Sequence, residues 1–137
     1  MNKSYEDLRV WNRAIDLVEQ IYVLTKSFPK DELYGLTNQA RRSAVSIPSN
    51  IAEGCSRNSD REFYQFLGIA SGSLAELKTQ IIIANKVEYL TEKGLSEIKN
   101  LIDEVARMLN ALKKTVNASS QQPEASNTKL IKKVENI

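Results

Sequence analysis

The stretch SDREFYQFLGIASGSLAELKTQIIIA, residues 59–84, decides the fold. Ser59 with Glu62 three positions on has the form of a capping box, in which side chains satisfy the free amides of a starting helix, and Phe63 follows at once. From there Phe63, Phe66, Leu67, Ala70, Leu74, Leu77, Ile81 and Ala84 recur at spacings of three and four. That is the period of a helix with one apolar face. Beside it runs a second stripe of small residues: Gly68, Ser71, Gly72 and Ala75. A glycine inside a helix costs roughly 1 kcal/mol against alanine. The stripe Gly68, Gly72, Ala75 therefore predicts close approach of another helix or another subunit.

The same period continues outward in both directions. Upstream, Leu33, Leu36, Ala40, Ala44, Ile47 and Ile51 mark the buried face of a helix that starts near Asp31 or Glu32, where acids suit the positive end of the helix dipole. Pro48 lies inside it and predicts a kink; Gly54 and Cys55-Ser56-Arg57-Asn58 close it. Earlier still, a helix over Tyr5–Ser27 is centred on Leu8, Trp11, Ile15, Val18 and Tyr22, with Ala14, Leu17, Ile21 and Leu24 widening its face. Phe28-Pro29 ends it. Downstream, Thr91 caps a fourth stripe that runs from Leu95 through Ile98, Ile102, Val105 and Leu109 to Val116. Four helices with short connections predict an all-α, antiparallel up-down-up-down four-helix bundle over residues 1–116. At Asn117 the composition turns to Ser, Gln, Asn and Pro, so residues 117–137 read as a flexible polar C-terminal tail. Within it, Lys129–Ile137 would place Leu130, Ile131 and Val134 on one side of a short helix.

Composition sets limits on function. The chain has 137 residues, 42% hydrophobic and 26% charged, enough for one domain with its own core. It contains no histidine and one cysteine, Cys55. Imidazole metal sites, Ser-His and Cys-His nucleophile pairs and an internal disulfide are thereby excluded. A ferritin-like carboxylate site fails on the same ground, since it needs Glu-x-x-His pairs; Glu76, Glu88, Asp103 and Glu104 read as surface charges. No catalytic residue, metal or cofactor is expected, and the chain reads as a non-enzyme. The N-terminus is polar and no apolar run approaches the roughly 18 residues of a membrane span; the expectation is a cytoplasmic protein without a membrane partner. Net charge is +2, from 19 basic and 17 acidic residues, which allows a local basic patch but lacks the excess of a general nucleic-acid binder.

The densest polar segment is Gln39–Gly54. Buried polar groups must find partners. Ser46, Asn50 and Glu53 are expected to form a structural polar network around Pro48, with Glu53 pairing Arg41 or Arg42; an inter-subunit or ligand-binding network is the alternative. Arg41, Arg42 and Arg57 are the candidate contacts to nucleic acid or a partner, against a plain solvated or salt-bridged face. Trp11 and Phe66 read as core. Cys55 lies beside a helix end, a place where a thiol can be exposed and mildly reactive, but a lone thiol without a base makes a weak case.

Several landmarks occur in order: Leu8-x-Val10-Trp11-x-x-Ala14, Phe28-Pro29, Glu32-Leu33-Tyr34-Gly35-Leu36, Gln39-x-Arg41-Arg42, Ser46-Ile47-Pro48-x-Asn50-Ile51-Ala52-Glu53-Gly54 and Phe63-x-x-Phe66-Leu67-x-x-Ala70-x-Gly72-Ser73-x-x-Glu76. Across about residues 5–115 they resemble the bacterial four-helix-bundle proteins first noticed as reading frames within intervening sequences of large-subunit ribosomal RNA genes, also labelled S23 ribosomal proteins. The resemblance implies a protomer that assembles into a ring-like homopentamer. It also implies similarity to the accessory protein of diversity-generating retroelements, a pentameric bundle that binds nucleic acid and a reverse transcriptase. No enzymatic activity is implied. The expected function is an oligomeric scaffold whose partners are its own copies and RNA or an RNA-binding protein, with no small-molecule substrate. The alternative is a protein–protein adaptor that binds no nucleic acid.

Overall fold

The computed structural model describes residues 4–120; expectations for residues 121–137 lie outside them. Four α-helices carry the described chain: α1 Arg9–Thr25, α2 Leu36–Cys55, α3 Asp60–Lys86 and α4 Glu92–Ser120. Each packs on its neighbour in sequence, and α4 returns to α1, which closes an up-down-up-down bundle. The α2–α3 hairpin is the most tightly packed pair and the α1–α4 seam the most open.

Local chemistry places the helix ends. Tyr5–Asp7, expected to begin α1, forms a separate 3₁₀ turn: Ser4 Oγ accepts from the Glu6 amide at 3.2 Å, and Asp7 Oδ2 accepts from the Ser4 amide at 3.1 Å. Likewise Lys30–Glu32 is a 3₁₀ turn, and α2 begins only at Leu36, where Glu32 Oε1 accepts from the Leu36 amide at 3.4 Å. Leu33, expected in the buried face, consequently lies in the turn and is 49% exposed. Ser59 caps α3 by accepting from the Glu62 amide at 3.2 Å; the Glu62 carboxylate takes a bond from the Ser59 hydroxyl at 3.3 Å. α2 continues as one helix through Pro48, whose ring is buried. α4 extends four residues beyond the expected domain boundary at 116, as far as Ser120.

The core is built from Ala40, Ala44, Ile47 and Ile51 of α2, the expected stripe of α3, and Ile98, Ile102, Val105 and Leu109 of α4. On α1 the buried line is Val10, Ala14, Leu17 and Ile21, the last three expected only to widen the face; of the expected centre Leu8 is buried, while Ile15 and Tyr22 are 40% and 41% exposed. Trp11 and Phe66 are only partly buried, at the core's edge. Trp11 packs with Tyr5, ring centroids 5.2 Å apart.

Two backbone positions are decisive. At Gly54 an added Cβ would lie 2.7 Å from Phe66 Cβ and 3.2 Å from the Phe63 carbonyl oxygen, so glycine is what lets α2 meet α3 at the hairpin turn. At the end of α3, Glu88 adopts φ 67°, the left-handed region. The Tyr89 amide then donates to Ala84 O at 2.8 Å and the Glu88 amide to Asn85 O at 3.1 Å, a Schellman closure built without its usual glycine. Gly54→Ala is expected to cost about 1–3 kcal/mol through overpacking. Glu88→Gly is expected to stabilise by about 0.5–1 kcal/mol, relief of left-handed strain outweighing glycine's chain entropy. Urea unfolding of the two variants checks both signs.

Candidate functional site

The polar segment of α2 forms a bonded unit across the α2–α3 interface. Asn50 Nδ2 donates to Ser46 O at 2.8 Å and Ser46 Oγ at 2.9 Å, and Ser46 Oγ shares a hydrogen bond with Ser73 Oγ at 2.7 Å. Ser73, not singled out in the sequence, is the buried α3 partner of this unit; its signal was a hydroxyl next to Leu74 within the apolar stripe. Glu53 does not join Ser46 and Asn50. It pairs with Arg57, one helical turn on, and not with Arg41 or Arg42.

The three candidate arginines are dispersed. Arg41 Nε donates to Thr25 Oγ1 at 2.9 Å and its guanidinium lies 4.8 Å from the Tyr22 ring centroid, tying α2 to α1. Arg42 is exposed on the same helix. Arg57, beyond the opposite end of α2, pairs with Glu53 and sits 4.9 Å above the Phe66 ring. One protomer thus offers no convergent phosphate clamp from these three residues.

The small-residue stripe is on the surface. Gly68, Gly72 and Ala75 are exposed, and a Cβ added at Gly68 or Gly72 would meet nothing within 4 Å. The expected close packing on a helix of the same protomer is therefore absent; the stripe faces outward. Ile69 and Ile83, 52% and 45% exposed, stand on the same outer side. From Phe63 to Ala75, α3 thus carries no charged residue on either face. By length and composition alone it would also pass as a membrane span, although a third of that window is buried within the bundle. At its start Asp60 is buried, with Oδ2 accepting from Ser119 Oγ of α4 at 2.8 Å and Oδ1 left without a partner.

Between α1 and α4 lies an open groove of ≈ 570 Å³. Its rim carries Asp16, Glu19, Glu97 and Glu104 against one base, Arg13. Arg13 bonds Glu104 and Asp16, each at 3.0 Å, and these bonds hold its guanidinium above the ordinary arginine value. Across the α3–α4 face, the Lys78 ammonium bonds Asp103 at 2.9 Å and holds that carboxyl below the usual range. Cys55 is half-buried, not the exposed thiol that a helix end allows, and burial pushes it up to about 11. No group of three or more Asp, Glu or Cys side chains among the described residues converges on a metal position.

Three outcomes follow from this geometry. Ser119→Ala, which strips a buried carboxylate of its bond, is expected to cost about 1–3 kcal/mol in urea unfolding. A thiol-specific chromogenic reagent should find Cys55 roughly a hundredfold slower at neutral pH than a free thiol, since only the thiolate reacts. Asp103's pairing contributes above the ordinary carboxylate range and is lost as pH falls through its lowered value. Both partners are two-fifths exposed, so the contribution is no more than about 0.5 kcal/mol. Lys78→Met should shallow the acid limb of the stability profile only slightly.

A search of curated proteins finds no significant match. A family model described as 23S rRNA-intervening sequence protein matches residues 6–111, from the first 3₁₀ turn through α1, α2 and α3 and most of α4. The chain belongs to the 23S rRNA-intervening sequence protein family.

Proposed function

We propose that this chain is a non-enzymatic cytoplasmic scaffold that works as a homo-oligomer, built by packing the outer face of α3 against neighbouring copies. One observation carries the proposal: from Phe63 to Ala75 α3 carries no charged residue, either on the side that faces its own bundle or on the side that faces out. A helix apolar all round is normally buried, and inside one protomer only half of this one is. The exposed stripe Gly68, Gly72, Ala75 permits a neighbouring backbone to come close, while Ile69 and Ile83 offer apolar surface beside it. The family resemblance supports five as the subunit number.

RNA is the proposed partner of the assembled particle. Cyclic symmetry would repeat Arg42 around a ring, creating the charge density that a single protomer lacks. The family's description, an intervening sequence of 23S rRNA, supports the same choice. A protein adaptor with no nucleic-acid binding is the second reading, favoured by the engagement of Arg41 and Arg57 in bonds within the protomer.

Light scattering of the purified protein, with and without RNA, tests both parts. A multimer at micromolar concentration is expected, and a monomer overturns the scaffold. RNA uptake that weakens steeply as salt rises is expected of phosphate contacts; a multimer that ignores RNA selects the adaptor. Gly68→Arg and Gly72→Glu should leave helicity intact, because nothing in the protomer lies within 4 Å of a Cβ added at either position, while reducing the particle to monomers.

A further inference from the structure

The outer face of α3 has a counterpart elsewhere on the bundle. Between α1 and α2 runs an open groove of ≈ 240 Å³, walled by Trp11, Ile15 and Val18 on one helix and by Val45, Pro48 and Ala52 on the other. None of the residues lining it is charged. Ile15 and Val45 are each 40% exposed. Large apolar side chains gathered in solvent mark a contact surface, where single scattered ones do not. Because α1 and α3 are diagonal, this groove and the outer face of α3 look in different directions.

Height, shape and area pair the two surfaces. Ser46 and Ser73 are bonded at 2.7 Å and so lie at one level of the bundle. Val45 and Ser49 fall within a turn of Ser46, and Gly72 and Ala75 within a turn of Ser73. Groove and stripe therefore stand at the same height. Two different surfaces at equal height meet from copy to copy by rotation alone, the condition for a ring and not a rising filament. In shape, Ile15 and Val45 project, while Gly68 and Gly72 leave room for them: a Cβ added at either glycine meets nothing within 4 Å. In area, α3 laid on α3 is one rod on another, well short of the roughly 800 Å² per partner of a stable interface. Seated in the groove, α3 is covered by two rods over about 30 Å, from Phe63 to Ile83. A contact of α3 with α3 would also stop at two copies and leave the groove bare.

We propose that the α1–α2 groove of one copy seats the outer face of α3 of the next, so that the assembly runs head to tail. Ile15 and Val45 of one copy pack on Gly68, Ile69 and Gly72 of its neighbour. The inference rests on the self-assembly through α3 proposed above and names the surface that α3 meets.

Light scattering of single and mixed variants tests it. Val45→Glu alone and Gly72→Glu alone should each be monomeric, with the far-UV circular dichroism of the wild type, since both positions are exposed. Mixed in equal amounts, they should form a particle of two chains and nothing larger. Only the α3 face of the first and the groove of the second remain intact. A Val45→Glu variant that assembles like the wild type overturns the groove and leaves assembly through α3 standing. A mixture that stays monomeric overturns the head-to-tail pairing, and a monomeric wild type overturns both readings. In a Cys55→Ser background, Ser49→Cys with Gly72→Cys should oxidise to a ladder of linked chains, whereas Gly72→Cys alone should remain single chains. A disulfide dimer of Gly72→Cys alone places α3 on α3 and overturns the groove.

Discussion

Everything else in the bundle hangs on the approach of α2 to α3. Gly54 abuts Phe63 and Phe66 so closely that one methyl group would not fit, and this contact sets where the two helices meet at the turn. Ala40, Ala44, Ile47 and Ile51 then lie against the α3 stripe along the hairpin. The Ser46–Ser73 hydrogen bond fixes the register of that packing near its middle. Small apolar residues alone would allow the helices to slide by a turn at little cost. A paired hydroxyl in a dry interface penalises sliding, because each partner left behind would lack its bond. Pro48 fits here because a packed hairpin holds the helix on both sides of the residue where a backbone bond is missing.

How much was legible follows from how strongly each face is buried. The α3 stripe was readable because one side of that helix is enclosed by two neighbours, so its large apolar residues other than the half-buried Phe66 lie in the core. On α1 the centre of the face was misplaced but its flank, Ala14, Leu17 and Ile21, is the buried line. The α1–α4 seam is open, so the large Trp11, Ile15 and Tyr22 lie along the edges of the face and not at its centre. Leu33 failed for another reason: Glu32 caps the helix from outside it, which leaves Leu33 in the turn. The arginine pairings could not be read from charge alone. Glu53 was expected to pair with Arg41 or Arg42, and the helical i,i+4 spacing to Arg57 decided the outcome.

The small-residue stripe shows where periodicity stops informing. Spacing identified Gly68, Gly72 and Ala75 as one face but held no information on which body that face meets. In the protomer it meets solvent. Two helix-interior glycines with nothing packed on them are a net loss to an isolated chain, roughly 1 kcal/mol each. Self-assembly through α3 supplies the missing gain, and it explains in the same step why Ile69 and Ile83 stand outside the core.

Charge is divided in the same spatial way. From Phe63 to Ala75 α3 carries no charged residue, and Glu76 ends that stretch on the outer side, whereas the α1–α4 side carries a carboxylate rim held partly in place by Arg13. In an up-down-up-down bundle α1 and α3 are diagonal, so the outer face of α3 and the α1–α4 groove are separate surfaces. An uncharged surface can pack on a copy of itself without repulsion, as symmetric assembly requires. An acidic groove cannot pair with its own copy in the same way. The net charge of +2 is a sum over the whole chain and carries no trace of how its charges are divided between these surfaces.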